Sequence, residues 1–249
     1  MSPKGYRVIH TKKSRIMQTT LAVLLLTFFV FLFMQSSFFN CKEVIVAGNI
    51  WLDEEYILEN AGVPIGNNLF SIDERQIKNR LELLPMIQGI RIEKRLPSTL
   101  YIYIQERELA AIAVLHGRFI LIDSKGFYIQ NVESIREFSN LPLITGLVLE
   151  ENLVYGQRIE NKTLTAALEV AEQIWSRGNI YFNEINVSTG KNDIRLFTNE
   201  GTMVRIGNTE NIHEKMEVFE IIYLSHMADG NLSRLEYIDI SFEGLPVIR

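Results

Sequence analysis

A long uncharged segment near the start of the chain constrains its architecture more than any other feature. No charged side chain occurs from Ile16 to Asn40, and the central run LAVLLLTFFVFLFM is interrupted only by Thr27. About 20 mainly apolar residues are enough to cross the hydrocarbon core of a bilayer as a helix. We therefore predict a transmembrane helix over residues 16–40, which divides the 249-residue chain into a short tail and a large remainder.

Basic residues ahead of this segment set its predicted orientation. Residues 1–15 contain five basic side chains and no acidic one, a bias that keeps a short tail in the cytoplasm. Everything after Asn40 is then expected outside the membrane. The alternative is a cleaved signal peptide, which ends at small residues, but Phe38 and Phe39 crowd that position. The pattern favours an uncleaved, single-pass type II anchor.

The cysteine usage excludes an internal disulfide. Cys41 is the one cysteine of the sequence, so it has no intrachain partner. A lipid anchor at this cysteine would need Gly, Ala or Ser before it, and Asn40 stands there. We expect a free thiol at the membrane surface.

The external part of the chain is acidic. The whole chain carries a formal charge of −5 and its first fifteen residues carry +5, so the remainder carries −10. Nucleic acids and anionic lipid surfaces are bound through Lys and Arg, so this charge disfavours both as ligands. Basic surfaces of partner proteins are compatible with it.

Residues 41–107 predict a small domain with the element order β-α-α-β-β. Asp53 and Asp73 begin its two helices, because aspartate caps a first turn, and Gln76 completes a capping box. Gly62 and Pro85 end those helices. The strands are EVIVAG from Glu43, MIQGIRIEKR from Met86 and TLYIYIQE from Thr99.

The last of these strands has two different faces. Leu100, Ile102 and Ile104 alternate toward the helices as core residues. Tyr101 and Tyr103 lie on the opposite face, where we expect packing on the sheet surface.

The alternation stops at Glu106 and Arg107, where the chain leaves the small domain. A carboxylate beside a guanidinium first suggests chemistry, but no partner groups accompany the pair in a catalytic pattern. We interpret Glu106 and Arg107 as a domain-junction clamp that sets the angle between two binding surfaces.

Residues 108–242 predict a β-rich domain with two helices, followed by a tail over residues 243–249. Short strands are separated by turns, of which Ser124–Lys125–Gly126 and Asn199–Glu200–Gly201 are hairpin tips. The last strand is LEYIDISF. The fold class is therefore α+β behind a single transmembrane helix.

The two helices of this domain show apolar stripes at helical spacing. The first is capped by Asn161 and stopped by Gly178, and the second runs from about Thr209 to Met227. The inward residues are Leu164, Leu168, Ala171 and Trp175 in the first helix, and Ile212, Met216, Phe219 and Tyr223 in the second.

Several short motifs occur in a fixed order along the chain. In the small domain they are Val46, Gly48, the turn Gly66–Phe70, Asp73, Pro85 and the run Lys94–Leu100. They continue with Glu106–Arg107, Ala111, Leu121–Asp123, Gly126, Leu141–Gly146, Asn199–Gly201, Val204–Gly207 and Tyr237–Asp239. Together, behind a signal anchor, they resemble the FtsQ/DivIB proteins of the bacterial division machinery. The small domain is then similar to a POTRA (polypeptide-transport-associated) domain. Leu109, Ala110 and Ser241 depart from the family pattern.

The resemblance implies a non-catalytic, membrane-anchored division protein without a cofactor, metal, nucleic acid or small-molecule substrate. Family members bind the extracytoplasmic part of an FtsB/DivIC-type coiled-coil protein through the C-terminal part of the β-domain. The partner-binding residues implied here are Glu236, Tyr237, Ile238, Asp239, Ile240, Ser241 and Phe242. With an FtsL-type subunit, the complex would help to recruit and regulate septal peptidoglycan synthesis at the cytoplasmic (inner) membrane. The POTRA-like domain, assisted by the span, would serve recruitment to the division site.

Strand addition is the binding mode that we expect at residues 236–242. A partner segment that adds to a sheet edge gains main-chain hydrogen bonds, and its alternate side chains give selectivity. We expect this strand to be the edge because little chain follows it. The alternative is an ordinary strand sealed by the tail residues GLPVIR.

An enzyme would need converging chemical groups, for which the sequence offers no motif. It contains no G-x-S-x-G elbow and no phosphate-binding glycine loop, and no two histidines have the i, i+4 spacing of a zinc site. The acidic clusters Asp53–Glu55 and Glu150–Glu151 are candidates for a glycosidase carboxylate pair, but the first fits the opening turn of a helix better. Trp51 and Trp175 fit packing better than sugar binding.

Two other function classes stay as alternatives to the binding protein. One is an envelope enzyme, a peptidoglycan hydrolase with a POTRA-like targeting module. The other is a POTRA-bearing transport factor, which is disfavoured because no run of ten-residue barrel strands follows the small domain.

Overall fold

Two units make up the part of the chain that the computed structural model describes, which comprises residues 11–115, 117–149, 153–178, 181–230, 235–242 and 244–249. The first unit holds the described residues up to Leu81 together with Gly89–Gln105. The second holds Glu82–Gln88 together with the described residues from Glu106 onward.

The first unit begins with helix α1 (Thr11–Met34). Its segment Arg15–Met34 has a mean hydropathy of 2.3, and by length and composition it can cross a membrane once. The helix ends at Met34, before the predicted limit at Asn40. Ser36 adopts an extended conformation, and Ser37–Phe39 forms a separate 3-10 turn.

A three-stranded sheet and two helices follow, in the predicted order β-α-α-β-β. The elements are β1 (Glu43–Ala47), α2 (Glu54–Ala61), α3 (Glu74–Leu81), β2 (Ile87–Arg95) and β3 (Thr99–Glu106). The strand order is β1-β3-β2, with β1 parallel to β3. Leu100, Ile102 and Ile104 are buried, as the alternation predicts.

The starts of α2 and α3 agree with the sequence in position, and Gly62 ends α2 as predicted. Helix α3, however, ends at Leu81 and not at Pro85, because residues 82–86 form turns. Asp73 Oδ1 accepts a hydrogen bond from Arg75 N at 2.9 Å, and Gly62 ends α2 in the left-handed conformation. Asp53 occupies the N-cap of α2, but its side chain makes no capping hydrogen bond.

Cys41 is a free thiol, as predicted, and it lies in the core of this unit. Its thiol is buried and its Sγ donates to Glu43 O at 3.5 Å. Burial raises the pKa of the Cys41 thiol, although hydrogen bonds with the backbone of Glu43 and Leu100 partly oppose the shift.

The second unit contains a nine-stranded mixed sheet with the order β12-β11-β10-β9-β8-β7-β4-β5-β6. The strands are β4 (Leu109–Leu115), β5 (Arg118–Asp123), β6 (Tyr128–Val132), β7 (Leu143–Thr145), β8 (Phe182–Asn186), β9 (Ile194–Thr198), β10 (Met203–Gly207), β11 (Tyr237–Asp239) and β12 (Val247–Ile248). The predicted tips at residues 124–126 and 199–201 join β5 to β6 and β9 to β10. The α+β class is confirmed.

Two helices pack on this sheet, α4 (Lys162–Ser176) and α5 (Ile212–Ala228). Asn161 Oδ1 caps α4 by accepting from the backbone N–H groups of Thr163 and Leu164. Most of the predicted inward residues are buried: Leu164, Leu168 and Ala171 in α4, and Met216, Phe219 and Tyr223 in α5.

Two details of these helices differ from the prediction. Trp175 is 36% exposed, at the margin of the core, where its Nε1 donates to Ala110 O at 3.2 Å. Helix α5 begins at Ile212 and not near Thr209, because Asn211 adopts a left-handed conformation with φ 52°.

Candidate functional site

The predicted partner-binding residues lie at one end of the nine-stranded sheet. Of residues 236–242, three form β11, which runs parallel to β10 with Tyr237 opposite Met203 and Ile238 opposite Val204. Ile240 extends the pairing, because its N–H donates to Arg205 O at 3.0 Å. Ile238 and Ile240 point into the core, so they anchor the segment.

The C-terminal tail covers the side of β11 that we expected to be free. Strand β12 pairs antiparallel with β11, with Ile238 opposite Ile248 and Asp239 opposite Val247. Arg249 N donates to Tyr237 O at 2.9 Å, and Tyr237 N donates to Arg249 O at 3.0 Å. The expectation that β11 is the edge is therefore wrong. The edge strand is β12, because the few residues after Phe242 suffice to reverse the chain and pair with β11.

A buried carboxylate fixes the end of β11. Asp239 Oδ1 accepts from Ser241 N at 2.9 Å and from Ser241 Oγ at 2.6 Å, and its Oδ2 accepts from Tyr237 Oη at 2.9 Å and Arg205 Nη1 at 3.3 Å. Burial by itself would raise the pKa of Asp239. The hydrogen bonds outweigh burial and hold that pKa below its ordinary value, so the group is ionised near neutral pH.

Arg205 joins this carboxylate to a second one. Its Nε donates to Asp193 Oδ1 at 2.6 Å, while Arg195 Nη2 donates to Asp193 Oδ2 at 2.7 Å. The hydrogen bond from Arg205 lowers the pKa of Asp193 to about 2, against the opposing effect of burial. Because Arg195 and Arg205 are directly opposed on β9 and β10, Asp193 also relieves the repulsion between them.

A groove runs beside the end of β11. It has a volume of about 610 Å³ and is lined by Ile240, Ser241, Phe242, Gly244 and Pro246 on one side, and by Asn208, Glu210, Asn211, Glu214, Lys215 and Val218 on the other. The ring of Phe242 is half-exposed. The Lys215 ammonium is turned away from solvent toward Ile206 O and Asn208 O, and burial lowers its pKa.

The predicted junction residues, Glu106 and Arg107, lie where the chain returns from the first unit to the second. Arg107 Nε donates to Pro85 O at 3.0 Å, its Nη1 donates to Asp123 Oδ2 at 3.0 Å, and its guanidinium lies 3.9 Å from the ring centroid of Phe127. All these partners belong to the second unit. Glu106 is the last residue of β3 and the residue at which the second unit resumes. A role of Glu106 and Arg107 in setting a domain angle stays a prediction.

Asp123 has the structural role that its hairpin position predicts. Its Oδ1 accepts from Lys125 N at 2.9 Å and Phe127 N at 2.7 Å, which closes the turn between β5 and β6. Its second oxygen receives Arg107. The sequence predicted the turn but not the ion pair between Asp123 and Arg107.

The other side chains that could serve in catalysis or metal binding are dispersed. Among the described residues, no three His, Cys, Asp or Glu side chains group to hold a metal. His213 Nε2 lies 3.2 Å from Glu217, and His226 Nδ1 lies 2.9 Å from Ile222 O. The Asp53–Glu55 cluster stands in the first turn of α2. His10, His116 and the pair Glu150–Glu151 lie outside the described residues.

Sequence reasoning also missed the charged network of Asp193, Arg195 and Arg205. A usable signal existed, since Arg195 and Arg205 occupy outward positions of two strands joined by a short hairpin. Asp193 lies two residues before Arg195 and was also within reach of a local pattern, whereas the contact of Arg205 with Asp239 depends on the register of β11, more than thirty residues further on.

Comparison with known proteins identifies two family matches. The family described as "POTRA domain, FtsQ-type" matches residues 39–107, and the family described as "Cell division protein FtsQ/DivIB, C-terminal" matches residues 110–241.

Curated relatives agree with these matches over most of the length. The cell division protein DivIB of Clostridium botulinum (strain Loch Maree / Type A3) is 26% identical over 263 residues, covering 99% of this chain and 96% of the relative. DivIB of Staphylococcus aureus is 25% identical, covering 84% of this chain and 46% of the relative. The cell division protein FtsQ of Rickettsia prowazekii is 32% identical, covering 57% of this chain and 56% of the relative.

Proposed function

The chain belongs to the FtsQ/DivIB family of bacterial cell-division proteins, and from this premise we propose that it is a non-catalytic, membrane-anchored subunit of the division machinery. It binds an FtsB/DivIC-type coiled-coil protein, together with an FtsL-type subunit, outside the membrane. Through that complex it helps to recruit and regulate the septal peptidoglycan synthase.

The apolar helix α1 supports the membrane location of this function. In the proposed topology α1 crosses the cytoplasmic membrane once, the basic tail is cytoplasmic, and the residues from Cys41 onward are external. The protein acts at the division septum, where the POTRA-like domain over residues 41–107 contributes to recruitment and the β-domain over residues 108–242 binds the partner.

The outer edge of β12 is the observation that carries the proposed binding mode. Residues 237 and 249 exchange both main-chain hydrogen bonds. The next pair along the two antiparallel strands, Ile238 and Ile248, is therefore a non-hydrogen-bonded pair. The N–H and C=O of Ile248 therefore point away from β11. An extended partner segment gains these hydrogen bonds when it adds as the next strand.

The opposite edge of the sheet supports the choice of β12. At β6, Tyr128 N already donates to Gln157 O at 2.9 Å, and Gly156 N donates to Tyr128 O at 2.7 Å. The segment around Gly156 thus covers the start of β6. Native sheets commonly protect edges in this way. Among the described residues no strand pairs with the outer edge of β12, so this edge is a candidate for a partner strand.

The surroundings of β12 favour a specific partner segment. Arg205 and Asp239 hold β11 in place behind β12, which makes the docking edge rigid. The groove beside Phe242 offers a place for an apolar side chain of the partner. In this proposal the residues Glu236–Phe242 contribute to partner binding in two ways. They support β12, to which the partner strand adds, and two of them, Ser241 and Phe242, line the groove.

A proline at position 248 tests strand addition directly. In Ile248→Pro the outward N–H is lost, whereas the bonds between residues 237 and 249 do not need it. We expect this variant to lose capture of the purified FtsB/DivIC-type partner in a titration. Ile248→Ala removes the side chain but keeps the N–H, so it is the matched control and should retain most of the capture. Equal affinities for the two variants would refute strand addition at β12.

A further inference from the structure

The chain that leaves α1 is folded against the first unit and is not a free linker. Cys41 N donates to Asn67 O at 2.8 Å, and Gly66 N donates to Cys41 O at 2.8 Å. The next residue, Lys42, donates from its backbone N–H to Ser98 O at 2.8 Å. These bonds hold the exit of α1 to the loop over residues 63–72 and to the hairpin of the sheet.

Asn68 connects that loop to the end of α1 itself. Its Nδ2 donates to Met34 O at 2.7 Å, which is one of the carbonyl groups that a helix leaves unpaired at its C-terminus. Its Oδ1 accepts from Phe70 N at 2.9 Å. The side chain of Asn68 therefore caps α1 and orients Phe70 at the same time.

A cluster of four aromatic rings surrounds this connection. The ring of Phe39 is buried, and its centroid lies 5.2 Å from Phe33, 5.1 Å from Phe38 and 5.2 Å from Phe70. Phe38 also stacks on Phe33 at 6.0 Å. Phe38 is 54% exposed and Phe70 is 42% exposed, so both present large apolar surfaces outside the unit.

The length of α1 sets the depth of these rings. The apolar segment Arg15–Met34 contains 20 residues, which at 1.5 Å per residue span about 30 Å, the thickness of the hydrocarbon core. With Arg15 at the inner boundary, Met34 lies at the outer one. Phe33 and the ring of Phe38 stacked on it then lie at that boundary. The ring of Phe39 separates Phe70 from them.

The local charge permits contact with lipid even though the external part of the chain is acidic. Residues 35–42 and 63–72 contain one lysine and no acidic side chain. Anionic headgroups therefore meet no like charge from these two segments. Apolar side chains that flank a span are accommodated in the interfacial layer of a bilayer.

We propose that Phe38 and Phe70 insert into the outer leaflet beside α1, so that the bilayer itself is the partner of this face. The first unit then stands on the membrane at a fixed height and does not swing on a tether. The inference rests on the proposed membrane anchorage by α1. It adds a second, loop-borne contact with lipid that a single span does not require.

Site-directed spin labelling of the full chain in nanodiscs tests the inference. The bilayer is a mixture of phosphatidylethanolamine and phosphatidylglycerol, and Cys41→Ala supplies a background without a native thiol. Nitroxides are attached in turn to Phe70→Cys, Phe38→Cys and Ile50→Cys. Ile50 is the control, because it is 82% exposed and follows the far end of β1.

The measurement is collision with oxygen, which concentrates in lipid, against collision with a water-soluble nickel chelate. We expect oxygen to dominate at positions 38 and 70 and the nickel chelate to dominate at position 50. A label at position 70 that behaves like the one at position 50 overturns the inference. Low accessibility to both reagents at position 70 also overturns it, because a protein contact would then cover this face.

A label at Leu24→Cys separates this inference from the proposed anchorage. If position 24 is in lipid while position 70 is in water, α1 spans the membrane and only the loop contact fails. If position 24 is in water, the anchorage itself is wrong.

The unmodified chain provides a second measurement that needs no cysteine variant. A phospholipid with a photoreactive diazirine in its acyl chain is crosslinked to the protein in the same nanodiscs. Trypsin releases residues 43–75 as one peptide, because no Lys or Arg lies between Lys42 and Arg75. We expect adducts at residues 69–71 and none at residues 49–51, and the reverse pattern contradicts the proposal.

Discussion

Asp123 combines two structural roles in one buried carboxylate. Its side chain closes the turn to β6 and also receives Arg107, and the residue is 2% exposed. A charge buried in this way is tolerated only because it is paired and fully hydrogen-bonded. The sequence signalled the turn, since aspartate before Ser-Lys-Gly is typical of one, but it did not signal the ion pair.

Replacement of Asp123 by alanine should destabilise the second unit strongly. The variant leaves the Arg107 guanidinium, with a largely buried side chain, without its carboxylate. Loss of one partner of a buried pair costs about 3–5 kcal/mol in the free energy of unfolding. Denaturant unfolding of the full chain in micelles, followed by Trp175 fluorescence in a Trp51→Phe background, measures the change.

Glu160→Ala is the matched control for Asp123→Ala. It breaks an exposed pair with Arg158 in the same unit, and we expect a loss of less than about 1 kcal/mol. Similar losses for the two variants would show that burial of the Asp123 pair is not what stabilises this region.

The Asp193 carboxylate predicts a pH dependence of stability. Its pKa is lowered from 3.8 to about 2 in the folded state, chiefly by the hydrogen bond from Arg205. A group with a depressed folded-state pKa stabilises the fold above its unfolded value, and that stabilisation is lost as the pH falls through the folded value. We expect the free energy of unfolding to fall between pH 3.8 and about pH 2, with a shallower slope in Asp193→Asn. Glu169→Gln, at an exposed position of α4, should keep the original slope.

At the scale of elements, the close approach of β10 to the segment after β11 positions the candidate site. Gly207 has a φ of +75°, and a Cβ at this position would lie 2.9 Å from Ser241 Cβ. Only glycine avoids both the strained backbone and the clash. The same residue ends the Val204–Gly207 motif, but the sequence did not indicate that Ser241 is its neighbour.

Gly207→Ala should therefore displace Ser241 and weaken capture of the partner. Gly201→Ala is the control, because Gly201 also has a positive φ, +92°, but a Cβ there meets no atom within 4 Å. Both variants pay a backbone strain of about 1–2 kcal/mol. We expect Gly207→Ala to lose more unfolding free energy and more partner affinity than Gly201→Ala. Equal losses of unfolding free energy and of partner affinity in the two variants would exclude the contact with Ser241 as the cause of the weaker binding.

At the scale of the whole molecule, the charge bias around α1 predicts the orientation of the chain. A reporter enzyme that works only outside the cytoplasm should be active when fused after Arg249. The same fusion without residues 11–34 should be inactive, because the span is then absent. Activity only when the reporter precedes residue 1 would show the opposite orientation.

The ordered set of motifs in the sequence identified the family. The sequence by itself also determined the approximate positions of the helices, the caps at Asp73 and Asn161, and the order of elements in the small domain. These local features depend on the periodicity of apolar residues and on capping residues within one or two turns. Helix α1, the order β-α-α-β-β and the stripe Met216–Phe219–Tyr223 are examples that the structure confirms.

Only the tertiary structure decided which strand is the edge and which charges meet. The tail covers β11, Arg205 bridges Asp193 and Asp239, and Cys41 lies in a core. Each of these depends on pairing between segments that are adjacent in space, and residue periodicity specifies the face of a strand but not its neighbour. The physical reason is that long-range register is set by the packing of the whole sheet.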